Sequence, residues 1–303
     1  MNTYTRILLL VCFLPLSHFT SANLYHLEDA NNFSKMIKNS WEVSQEAVQT
    51  KYLDVGSAGV KIFTPGRIVD AKNMSRKVNE NRAAYEKALN ICLPVASEFE
   101  DEAVDMLERV GKFMGQPELA PVYVLFGANN SGGTASPDGL ALGLEVLCQF
   151  ADTKEQFKEV LMAFVAHEVV HVYQNRLLNF EKPPTVLEQA LLEGFPDFVA
   201  NMMLGEVPES ERKRHDYGLA NEAQLWRDFS AVMESKEYDA WFYSGDFNGR
   251  PGDVGYWIGK RIAEAYYHQA ENKEQAISDL LHLKSAEHIL KASAYQEGFA
   301  KAK

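Results

Sequence analysis

Along the first third of the chain, apolar residues recur at intervals of three and four. Phe33, Met36, Ile37, Trp41 and Val48 form one such stripe and predict a helix over 29–51. Glycine and proline then interrupt the pattern at Gly56, Gly59, Pro65 and Gly66. Helical periodicity returns over 71–92, breaks at Pro94 and resumes over 97–114. Beyond Pro121 the texture changes. The short β-branched and aromatic run 122–126 predicts a strand, 127–133 a Gly-rich hairpin connection, and 140–147 a second strand. A helix over 154–178 follows, marked by Phe157, Val160, Leu161, Phe164 and Val165. Pro183 and Pro184 close that region, and Thr185 with Glu188 has the spacing of a capping box that opens another helix. The remainder to Lys303 is mainly helical, with a Gly-rich interruption over 245–255. These elements predict a predominantly helical α+β fold, with a small sheet beside the 154–178 helix and a helical C-terminal part.

The first 22 residues belong to a different pattern. Arg6 gives a short basic start, 7–16 is largely apolar, and 17–22 is mostly small or polar, the order of a secretory signal peptide cut after Ala22. The apolar run is about half the ~20 residues that a spanning helix needs. The expected product is therefore exported, periplasmic or extracellular, with no stable membrane insertion. The chain divides into 1–22, a helical region 23–115 and a region 116–303, the last two forming one compact unit because no linker separates them. The formal charge of −12 makes nucleic acid and anionic membrane poor partners. Cys12 falls within the signal segment, which leaves Cys92 and Cys148 either to pair in an oxidising compartment or to remain as two buried thiols.

The candidate chemistry sits in His167-Glu168-Val169-Val170-His171. On a helix, residues four apart share a face, so His167 and His171 can direct two imidazoles at one point, half of a zinc site. Glu168 sits beside that point and is the candidate general base on a metal-bound water. A third histidine of the metzincin kind is excluded, because Gln174 and Leu177 occupy the positions it would require. A carboxylate from the following helix remains. Glu193 is the candidate third ligand, and Asp197, one turn on, can accept a hydrogen bond from a ligand imidazole. Pro196 lies between them, where a proline removes one helical hydrogen bond; the helix must kink there or end and restart.

In these residues the chain resembles the gluzincin metallopeptidases, whose pattern is HExxH followed by Glu-x-x-x-Asp on the next helix, and within them exported zinc-dependent proteases of unassigned substrate. The paired motif covers about 30 residues directly. A weaker likeness extends through the strands before it and the segment Gly255-Tyr256-Trp257-Ile258-Gly259 after it. The resemblance implies Zn2+ held by His167, His171 and Glu193, and hydrolysis of a peptide or protein substrate. Glu168 would then activate the water and Tyr256 would assist the oxyanion, with His215 and Tyr243 as fallback donors. Two other readings stand beside it. One is a metal-dependent amidase acting on cell-wall or other non-protein amides. The other is a non-catalytic binding or assembly protein that retains a metal site.

Overall fold

The computed structural model describes residues 24–38, 42–247 and 249–300; the signal-peptide segment and Trp41 lie outside them. A short strand β1 (Tyr25–His26) leads into helices α1 (Glu28–Ile37), α2 (Gln45–Val48), α3 (Ala58–Phe63), α4 (Ala71–Glu80), α5 (Arg82–Lys87), α6 (Leu93–Glu98) and α7 (Glu100–Met114). The helix expected over 29–51 is thus divided, with α1 ending at Ile37. Pro94 does not stop a helix but occupies the first turn of α6, where its missing N–H has no intrahelical partner to lose.

The sheet order is β1, β2 (Val122–Leu125), β4 (Gly139–Gly143) and β3 (Gly133–Ser136). This corrects the sequence reading in two ways. The second strand ends at Gly143, where Leu144–Leu147 turns helical as α8. The Gly-rich segment is not a hairpin connection: β2 runs parallel to β4, and the hairpin is β3–β4. The segment before β3 crosses over so that β4 can fill the interior position. Four residues of β3 are small or polar, which is why periodicity did not reveal an edge strand there.

Helix α9 (Lys154–Leu177) packs beside β3 and β4 and is closed at its N-terminus by a Thr153–Gln156 capping box. Helix α10 (Val186–Leu204) opens on the Thr185–Glu188 capping box that the sequence predicts and ends at Gly205 in the left-handed conformation. Then follow α11 (Glu209–Ser230), α12 (Val254–Gln269), α13 (Lys273–Leu281), α14 (Ala286–Ser293) and α15 (Glu297–Ala300). One apolar core runs from Tyr25 to Leu290, and Cys92 and Cys148 are bonded, tying the N-terminal helices to the end of α8. Among the described residues no helix is long and apolar enough to cross a membrane.

The contact between α10 and α12 is made backbone to backbone. A Cβ on Gly259 would lie 1.6 Å from the Ala190 carbonyl oxygen, and one on Gly194 would lie 2.1 Å from the Lys260 nitrogen. No side chain can be inserted without driving the helices apart. Gly259→Ala is therefore expected to destabilise the fold by about 3 kcal/mol or more, measured by denaturant unfolding. A loss below about 0.5 kcal/mol, the range of an indifferent surface change, would refute this close packing.

Below the crossover segment, Glu145 is fully enclosed and its carboxylate accepts hydrogen bonds from the N–H groups of Gly127 (3.0 Å) and Asn129 (3.0 Å). Burial, only partly offset by those bonds, raises its pKa from 4.5 to about 7. Below the ordinary value the group is neutral whether folded or unfolded. Between the two values the unfolded chain releases the proton that the folded chain retains, so stability falls as pH rises through this window and levels off above it. The drop attributable to Glu145 is on the order of 3 kcal/mol. Unfolding free energies measured across that range should fall less steeply in Glu145→Gln; an unchanged slope would assign the effect elsewhere.

Candidate metal centre

Helix α9 brings His167 and His171 to one face, and α10 lays Glu193 against them. His167 Nε2 and His171 Nε2 are 3.1 Å apart, and Glu193 Oε2 lies 3.2 Å from His171 Nε2 and 3.8 Å from His167 Nε2. A point about 2.0 Å from all three atoms exists at the centre of that triangle, matching the ~2.0–2.1 Å at which nitrogen and oxygen ligands hold zinc. These are the residues among those described that could share one ion.

The surrounding hydrogen bonds determine which atoms face that point. His167 Nδ1 is 2.8 Å from Asp197 Oδ1, an acceptor only, so Nδ1 carries the proton and Nε2 presents a lone pair. Gln174 Nε2 donates to the Leu192 carbonyl (3.2 Å), which leaves Gln174 Oε1 to accept from His171 Nδ1 (2.7 Å), so His171 Nε2 also presents a lone pair. The second oxygen of Glu193 is already engaged: Oε1 accepts from Gln189 Nε2 (3.0 Å) and from the Tyr243 hydroxyl (2.8 Å). Three lone pairs thus converge in a buried place with no donor among them. Only a cation or a proton relieves that arrangement, and the donor set fits zinc.

The titration behaviour of these side chains follows the same logic. Burial alone would lower His167, but the bonds to Asp197 and Glu193 outweigh it and hold the imidazole well above its ordinary range. His171 is raised against burial chiefly by the Glu193 charge. Burial would raise Glu193, yet the two imidazoles hold it well below the usual carboxylate range. Glu168 is raised, because its burial exceeds the attraction of the histidines.

Behind Asp197 stands a buried chain of charge. Arg214 on α11 donates to Asp197 Oδ2 (2.8 Å), and Lys260 on α12 donates to Glu211 (3.1 Å), whose carboxylate is 3.9 Å from Arg214. Lys260 is 5% exposed, so pairing rather than hydration keeps it inside. The Arg214 guanidinium also lies 5.0 Å from the centre of the Tyr256 ring, which itself stacks 6.3 Å from the His167 ring. Neither Arg214 nor Lys260 had a sequence signal, and Gln174 and Gln189 had none beyond their helical spacing. Tyr243, expected as a fallback donor, bonds Glu193 instead. His215 lies outside the lining of the cleft, with its Nδ1 buried and unpartnered.

The centre forms the floor of a cavity of about 680 Å³ bordered by Arg67, Thr134, Glu168, Tyr243 and Tyr256. Glu168 packs so closely on β3 that a Cβ on Gly133 would lie 2.4 Å from its Oε1. The edge of β3 also faces this side. Gly143 donates to Gly132, and the alternation of an antiparallel pair then turns the backbone groups of Gly133 and Ala135 away from β4. Both outward carbonyls are taken, that of Gly133 by the Ser131 hydroxyl (2.7 Å) and that of Ala135 by Asn175 Nδ2 (3.1 Å).

Comparison with known proteins adds one match. Residues 153–297, just under half of the chain, match the family model GldB_lipo, "Gliding motility protein GldB". No curated protein matches the chain, and no solved structure does. The matched segment begins at the N-cap of α9 and includes every residue of the metal centre. It is similar to a gliding-motility family and not to a zinc peptidase family, and this overturns the gluzincin resemblance. The peptidase and hydrolase readings are corrected with it, as are the roles of Glu168 as general base and Tyr256 as oxyanion donor, which rested on them.

The geometry gives a direct expectation for the donor set. Asp197→Asn exchanges the charge that orients His167 for a neutral amide and leaves Arg214 with half its pairing. Zn2+ affinity, read by competition with a chromophoric chelator, should fall about 10–100-fold. Unchanged affinity would mean that Asp197 does not orient the ligand.

Proposed function

We propose that the chain is a non-catalytic binding and assembly component of a cell-envelope machine of the gliding-motility type, and that His167, His171 and Glu193 hold a Zn2+ ion which helps form its docking site. The observation that carries the proposal is the family match over 153–297, which spans the whole metal centre. Three protein ligands leave a fourth position on zinc, and the cavity above them is open. In this reading a side chain of a partner protein, a carboxylate or an imidazole, fills that position. An aromatic side chain at the rim, Tyr243 at 62% exposure, supplies apolar contact for the same partner. When bound, the ion would tie α9 to α10 as well as receive the partner ligand. The location goes with this reading: the chain is exported, cut after Ala22, and works at the envelope.

Motility of cells carrying single substitutions tests the proposal. A strain with Glu168→Gln should move as the wild type does, because Glu168 contributes no ligand. His171→Ala, which removes one, should abolish movement while the protein is still exported. Loss of movement with Glu168→Gln in a protein that keeps its metal would overturn the assembly role. Intact mass of the purified mature chain should correspond to a start at Asn23; a lipidated N-terminus would replace free export by anchoring.

A further inference from the structure

Helix α10 continues through Pro196 to Leu204, and Pro196 is buried within it. A residue at this position normally donates its N–H to the carbonyl four residues earlier. Proline has no N–H, so the Leu192 carbonyl loses its helical donor. That carbonyl is the one that accepts from Gln174 Nε2 on α9 (3.2 Å), and Gln174 is buried, 3% exposed. The carboxamide is thereby fixed with its oxygen toward His171 Nδ1 at 2.7 Å. A proline on one helix is thus joined through a single side chain to a metal ligand on the other.

We infer that Pro196 is a positioning residue of the metal centre: by withholding a backbone donor it frees the Leu192 carbonyl to anchor Gln174, whose carboxamide holds His171 with its Nε2 lone pair toward His167 and Glu193. This deepens the zinc reading given above and rests on it. The departure from regular helix chemistry between Glu193 and Asp197 then has a purpose. His167 is oriented by a charged partner, Asp197; His171 is oriented by a neutral one that the helix itself makes available. With alanine at 196, the restored N–H would compete for the Leu192 carbonyl, Gln174 would lose its anchor, and the amide could turn to offer its NH2 to His171. That would favour the wrong tautomer for metal binding.

Three proteins test this: Pro196→Ala, Gln174→Met and the double variant. Alanine favours helix, so α10 should persist, which circular dichroism checks. Each single change is expected to weaken Zn2+ binding about tenfold, and the double variant should bind no more weakly than the worse single one, since both break the same chain. Multiplied losses, or unchanged affinity in Pro196→Ala, would overturn the inference. A second readout needs no metal. At a pH above its titration, the ring nitrogens of His171 in the metal-free wild type should show a proton on Nδ1 alone in nitrogen-15 NMR, and Pro196→Ala should show a mixture of tautomers. A wild type that binds no zinc but shows this change keeps the positioning role and rejects the zinc reading. A wild type that binds zinc but shows no change in either measurement does the opposite.

Discussion

Three lone pairs aimed at a single buried point are the constraint around which this half of the molecule is arranged. An imidazole can face another imidazole at 3.1 Å only if something positive lies between them, and a carboxylate beside both makes the demand stronger. Asp197 and Gln174 hold one proton of each ring on the far side, so only a further proton on an imidazole or a cation can relieve it. Every neighbouring element then contributes to the orientation. Helix α9 supplies the two rings and Gln174; α10 supplies Glu193, Gln189 and Asp197; α11 and α12 supply the charges that keep Asp197 ionised. The glycines that let α10 and α12 touch along their backbones bring Lys260 close enough to take part.

Much of this was legible in the sequence, for a physical reason. Ligands on one helix at four-residue spacing are a local pattern, and the Thr185–Glu188 capping box locates the start of the next helix without tertiary information. From these alone His167, His171, Glu193 and Asp197 could be placed, and the structure brings all four together. The helical character with a small sheet was equally accessible from periodicity. What was not legible depends on contacts between distant segments. Arg214 and Lys260 look like solvated helix charges until α11 and α12 close over Asp197. Strand β3 is four small or polar residues, and only its partner β4 makes it a strand. Pro196 was visible, but its consequence was not, since it lies in the hydrogen bond between the Leu192 carbonyl and a side chain on another helix, 18 residues from Leu192.

The motif also shows where local pattern misleads about role. A helix that offers two imidazoles with a carboxylate between them offers a site that a cation or a proton can fill. It does not specify what the cation is for. On the outer side of β3 the carbonyls of Gly133 and Ala135 accept from Ser131 and Asn175. These donors come from the loop before β3 and from α9, while the cavity beside the histidines stays open. In the proposed docking role, an ion with one position left for a neighbouring protein would make attachment depend on the ligands being aligned beforehand. The hydrogen bonds from Asp197, Gln174, Gln189 and Tyr243 hold the rings and the carboxylate in place, so little ordering entropy would remain to oppose such binding.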